Sequence, residues 1–310
     1  MPVAVRDWNI VRNLAFQVAE IASLPQQAEE IRLWRACNDL KPKRPMVFAD
    51  PQNGWQDLEA AWLRLECQDE TLRSFESVLR RRILRHEHIP DDFPITDRFP
   101  VPVRVRGDSY NDYGLDLDVT YGKQMNGAYH IEAAVKDPRD LEKLHFRPLV
   151  IDQSATDRVV EQAEDLLGDI LTVEKTGKTF WRYGLTRVLV HMRGLGRMMY
   201  DMYDNPKLLH RLMAFLRDDY LREIDIYEAA GAISFNNTPD HVTGSGGLSY
   251  TSDLPEEGGE LPPSVEYCTC WGESQETVGV GPTQFDEFVL QYQLPLLARF
   301  GLVDYGCCEP

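Results

Sequence analysis

The chain has 310 residues, 43% hydrophobic and 27% charged, enough apolar mass for one large domain or two small ones. Its 50 acidic residues against 33 basic ones leave a formal charge of −17. That balance speaks against nucleic-acid binding and against coating an anionic membrane, since both need a positive surface to displace counterions. The opening MPVAVRDWNIVRNLAFQVAE has no apolar core behind a basic tip, and nowhere do about 18 apolar residues run together, so a cytoplasmic protein with no membrane partner is expected.

Residues 1–40 read as a helical lead-in, with Ile10, Leu14, Val18 and Ile21 recurring at steps of three and four. In KPKRPMVFADP a basic, proline-bearing turn precedes the apolar run 46–49, which suits a buried parallel strand and is expected to be the first of the barrel. Residues 57–85 carry helix formers with no proline or glycine, so a long helix, whole or broken, is expected there. Residues 90–125 are rich in Pro, Asp, Gly and Tyr, and the alternating PVPVRVRG predicts strands and loops near a cleft. The loop RGDSYNDYGLDLDVTYGK lacks the dense oxygen spacing and final glutamate of a calcium loop.

A helix is predicted over 156–171. Another starts at Asn205 and Pro206, with Leu208, Leu209, Leu212, Phe215 and Leu216 as its apolar stripe. AISFNN (232–237) and SVEYCTCWG (264–272) read as strands, PTQFDEFVLQYQLPLLARFG as a helix bent or divided by Pro295, and LVDYGC as a following strand. Alternating strand and helix favours an α/β fold with a parallel sheet, in the length range of a (β/α)8 TIM barrel. Residues 41–310 would form that barrel domain, incomplete by its last two strand-helix units if LVDYGC is about the sixth strand.

Parallel strands send their C-terminal ends to one face, so the loops after them are expected to converge. Those loops hold Asn236, Asn237 and His241, with Asp240 beside the imidazole; then Trp271, Glu273 and Glu276; then Cys307, Cys308 and Glu309. Glu273 and Glu276 are candidate contacts for an amine or another cation, with Trp271 as a cation–π face. Arg193 either binds a carboxylate or phosphate or makes a structural ion pair. The six cysteines are too few and too uneven for a disulfide framework; Cys268 and Cys270 share one strand face and read as packing, while Cys307 and Cys308 point to opposite faces. A thiolate suits zinc, so at least one of Cys307 and Cys308 is a candidate ligand, with His241 as a further ligand and Glu309 as an oxygen ligand or base.

MRGLGRMMYDMYDNPKLLHRLMAFLRDDYLREI and GPTQFDEFVLQYQLPLLARFG resemble two stretches of the uroporphyrinogen decarboxylase-like superfamily, an "RG" loop leading into "DMYDNPE" and an "EFVLPY" helix followed by a functional strand. The resemblance covers roughly residues 180–310 and implies a (β/α)8 barrel that is either a decarboxylase or a zinc-dependent methyltransferase moving methyl groups between corrinoid proteins, small donors and thiols. FADPQNGW lacks the arginines with which the decarboxylase holds its tetrapyrrole, and no arginine lies between Arg44 and Arg64. The methyltransferase branch ends its functional strand in a zinc-binding His-x-Cys; DYGCC puts Cys307 on the cysteine and Tyr305 where the histidine would be. The resemblance thus implies metal-assisted methyl transfer with zinc, a small methyl donor or acceptor and a corrinoid-carrying partner, and leaves a homodimer open. A decarboxylase-like lyase, or a silent barrel docking to a corrinoid-binding module, is the alternative.

Overall fold

The computed structural model describes residues 3–51, 54–109, 112–116, 118–122, 129–244, 247–255 and 261–306. The lead-in is two helices, α1 (Val3–Ala22) and α2 (Pro25–Asn38), the second opened by a proline whose missing N–H has no role in a first turn. Residues 46–49 are not a strand, and Val47 is exposed. Their donors are taken by carboxylates instead of a neighbouring strand: Val47 N donates to Asp92 Oδ2 at 2.7 Å and Ala49 N to Asp91 Oδ2 at 3.0 Å. The following helical stretch is broken into α3 (Trp55–Trp62) and α4 (Glu70–His88). Asp69 caps α4 by accepting from Leu72 N at 2.9 Å, and buried Glu76 accepts from Cys67 N at 2.9 Å, so two carboxylates hold the interruption open.

Next come β1 (Arg98–Pro102), β2 (Arg104–Arg106), β3 (Asp118–Tyr121), β4 (Tyr129–Glu132), β5 (Val150–Asp152), α5 (Gln153–Leu167), β6 (Thr172–Thr176) and β7 (Arg182–Tyr183). Three helices follow, α6 (Leu185–Arg193), α7 (Leu195–Asp204) and α8 (Pro206–Ala229). The rest is β8 (Val242–Thr243), β9 (Gly247–Leu248), β10 (Thr269–Gly272), the helical run α9 (Pro282–Phe285) and α10 (Gln291–Leu297) joined by a π-turn at Asp286–Leu290, and β11 (Leu302–Tyr305). Pro295 sits inside α10, which ends two residues later.

The expected barrel is not the architecture. Among the described residues β1 pairs β6 in parallel, β10 lies in parallel between β7 and β11, and the pairs β2–β5, β3–β4 and β8–β9 are antiparallel. These sheets of two and three strands close no barrel. One cause is visible at 232–237, read from sequence as a strand but joined to its neighbour only by the bridge of Ile233 to Lys178. The buried Asn236 amide stands where a ladder would run: Nδ2 donates to Thr179 O at 2.8 Å and Thr269 O at 2.7 Å, and Oδ1 accepts from Thr269 N at 2.8 Å. A side chain thus satisfies backbone groups that a paired strand would otherwise claim.

Two apolar clusters fill the interior. One joins Val11, Leu14 and Val18 of α1 to Phe75 and Leu79 of α4, Phe99 of β1 and Leu166 of α5; the other joins α6, α7 and α8 to β7, β10 and α10. In α8 the apolar stripe holds as expected at Leu208, Leu209, Leu212 and Leu216, all buried, with Phe215 half-buried at its edge. No helix among the described residues is long and apolar enough to cross a membrane. Leu212 is fully enclosed, so Leu212→Ala should lower the unfolding free energy by about 2–5 kcal/mol in urea denaturation, with an unchanged value marking the stripe as misplaced.

Candidate functional site

The segment from Gly177 to Gly184 alternates its environment as extended chain must: Trp181 and Tyr183 pack into the core, while Lys178, Phe180 and Arg182 line a cavity of about 260 Å3. α8 supplies the opposite wall through Tyr220, Glu223 and Tyr227, and Arg147, Arg187, Asp108 and Glu273 complete the charged lining. Arg147 is buried and doubly paired, its Nε donating to Asp219 Oδ2 at 2.5 Å and a terminal nitrogen to Glu223 Oε2 at 3.1 Å. Lys178 takes the other oxygen of Glu223 and lies over the Trp181 ring at 4.7 Å. Burial alone would raise the Glu223 carboxyl, but Lys178 and Arg147 outweigh it and hold Glu223 below its ordinary range.

Glu273 is the unusual member. It has no solvent exposure, its Oε1 accepts from Arg182 Nε at 2.6 Å, and its Oε2 has no hydrogen-bond partner among the described residues. Desolvation pushes its pKa up, and the pull of Arg182 in the other direction does not cancel it. Arg182 is itself fixed from behind, its guanidinium stacking over Trp271 at 4.6 Å. The backbone around Glu273 is held by Gln293, whose Nε2 donates to Glu273 O at 2.8 Å and Tyr183 O at 3.0 Å. Tyr305, which stands where the resemblance implies a histidine ligand, donates its hydroxyl to Gln293 Oε1 at 2.9 Å and pairs with Ser274 Oγ at 2.9 Å.

The other sequence candidates divide. Trp271, Glu273 and Glu276 fall together, but the cation over the Trp271 ring is Arg182, and Glu276 accepts from Thr186 Oγ1 at 2.7 Å. Asn236 and Asn237 spend their amides on backbone, Asn237 Nδ2 donating to Thr251 O at 3.0 Å and Leu254 O at 2.8 Å. Arg193 is buried in an ion pair with Asp201 and donates to Val135 O at 2.8 Å and Lys136 O at 2.9 Å, tying α6 to α7. His241 lines a separate cavity, where burial pushes its imidazole down to about 4 against the opposing effect of Asp240. Cys268 and Cys270 are enclosed in the core, and burial raises the Cys270 thiol to about 12.

Cys307, Cys308 and Glu309 lie outside the described residues. Among the described residues no three His, Cys, Asp or Glu side chains converge as a metal site, so His241, the described part of the expected zinc set, belongs to no such group among them. No protein-family model, no curated protein and no solved structure matches the chain.

Sequence reasoning missed Arg147, Lys178, Arg182 and Glu223. The signal for two of them was present in KTFWRYG, where Lys178, Phe180 and Arg182 stand at every second position and alternate with Thr179, Trp181 and Tyr183. Gly184 allows the Glu273 placement, because a Cβ there would stand 2.5 Å from Glu273 Oε1. Gly184→Ala should therefore destabilise the protein by about 1–3 kcal/mol, and Ala in the Glu273→Gly background should recover part of that loss. Additive costs in the double variant would show that the two residues do not meet.

Proposed function

We propose that the chain is a carboxy-lyase-type enzyme acting on a small carboxylate-bearing substrate in the Arg182–Glu273 cavity. One observation carries the reading: a wholly buried carboxyl group lines a cavity with one oxygen held by an arginine and the other unpartnered among the described residues, beside three further cations, Arg147, Lys178 and Arg187. Arg182, whose Nε and one terminal nitrogen are engaged by Glu273, is a planar cation suited to a carboxylate at its remaining nitrogen, and Lys178 adds a point charge near it. A carboxyl group whose pKa is raised by burial keeps its proton further up the pH scale and can serve as a general acid.

In the reaction, the bond between the substrate carbon and its carboxylate breaks and carbon dioxide leaves. The electron pair stays with the carbon, spread into an electron-accepting group that the substrate must carry next to it. Glu273 gives its proton to that carbon and is reprotonated from solvent, so the net change is a carboxylate and a proton giving a C–H bond and carbon dioxide. The resemblance to the decarboxylase-like superfamily supports this class, whereas the stretch without arginine between Arg44 and Arg64 argues against a porphyrinogen as the substrate. A cavity of about 260 Å3 also suits a smaller acid. The place of action in this proposal is the cytoplasm.

The reading is tested with a panel of small keto and aromatic acids labelled with 13C at the carboxyl carbon, following release of labelled carbon dioxide. Release by the wild type is expected to fall by about 10–100-fold in Arg182→Met and by at least that much in Glu273→Gln. Turnover that survives both substitutions would end the proposal.

Metal-assisted methyl transfer, with a small methyl donor or acceptor and a corrinoid-carrying partner, is the second proposal and rests on the resemblance together with Cys307. Metal analysis of the full chain decides its zinc component: stoichiometric zinc that is lost in Cys307→Ser would support it, and a zinc-free wild type purified without chelators would sink it.

A further inference from the structure

A second cavity, of about 160 Å3, lies on the other side of the same segment: Thr179 lines it, while Phe180 lines the carboxylate cavity. Its charged groups already have polar partners. Arg98 Nε donates to Glu174 Oε2 at 2.7 Å, and Asp240 accepts from the hydroxyls of Thr96 at 3.2 Å and Thr238 at 3.0 Å while feeling the half-buried Arg82 cation. What the walls leave over is neutral. Among the described residues neither the His241 ring nor the Thr179 hydroxyl makes a side-chain hydrogen bond, and Phe235 and Pro100 add apolar surface.

We propose that this cavity binds a small uncharged polyol or sugar, its hydroxyl groups pairing with His241 and Thr179 and its C–H face resting on Phe235. A neutral imidazole presents one donor and one acceptor, and a hydroxyl group is the ligand that can answer either. An anion entering the cavity meets Glu174 and Asp240, while the lining arginine, Arg98, is already paired with Glu174, so the anion's charge would be desolvated without a free partner. The proposal does not depend on the carboxy-lyase reading, which concerns the other cavity.

The test uses the full chain with 13Cε1-labelled histidine, titrated with D-glucose, with myo-inositol and with sodium gluconate as the charged counterpart. The His241 signal is assigned by its loss in His241→Ala. A saturable shift with glucose or inositol at millimolar concentration is expected, with gluconate binding about tenfold more weakly or not at all. Thr179→Val, its fold checked by circular dichroism, should weaken binding about threefold to tenfold through the lost hydroxyl. No saturable shift with either neutral ligand, gluconate binding as well as glucose, or unchanged binding in Thr179→Val would each overturn the proposal.

Discussion

The cavity chemistry depends on keeping a carboxyl group, Glu273, out of water with one of its oxygens held by Arg182. Isolated, such a group would be expelled or neutralised, because the desolvation of a carboxylate costs several kcal/mol. Arg182 offsets part of that cost through Oε1, and Trp271 keeps the guanidinium in place by stacking over it. Gln293, steadied by Tyr305, fixes the Glu273 backbone, and the absent Cβ of Gly184 leaves the space the carboxyl occupies. The result is a carboxyl group held above its ordinary pKa by burial, whose surroundings come from β7, β10, α10 and β11 together.

The opposite wall solves the same problem with more partners. Asp219 and Glu223 face inward from α8, a helix otherwise packed by leucines, and Arg147 and Lys178 match them. Arg147 also lies 4.6 Å from the Tyr220 ring centre, so its cation meets an aromatic face as well as two carboxylates. Removing one member of such a set strands the others in low dielectric, so this wall is rigid, and the charge pattern a ligand meets is fixed before it arrives.

The helical part of the fold was legible in the sequence because amphipathic spacing reports burial directly: the α8 stripe and the lead-in helices follow it. The strands expected in PVPVRVRG, SVEYCTCWG and LVDYGC appear as β1 with β2, β10 and β11, but those expected at 46–49 and 232–237 do not, because the decisive contacts there are single polar side chains acting on distant backbone. Asn236 takes the ladder positions of 232–237, Asp91 and Asp92 those of 46–49, and no periodicity announces either. For the site, position after a strand pointed to Trp271, Glu273 and Glu276, but it could not reveal that Arg182 occupies the Trp271 face and pairs with Glu273. Arg147 and Glu223 were hidden more deeply, since a charged residue on a helix reads as solvated unless its partner 76 positions away in the chain is known.

The most direct measurement of the central claim is the titration of Glu273 in the full chain by 13Cδ chemical shift, assigned by its loss in Glu273→Gln. The account predicts a midpoint above the ordinary 4.5 for this carboxyl, because folding favours its protonated form. Protein stability, compared with Glu273→Gln, should correspondingly fall as pH rises from 4.5 through that midpoint. A Glu273 midpoint at or below 4.5 would mean that Arg182 outweighs burial, leaving a permanent carboxylate that cannot donate a proton, and would contradict the account.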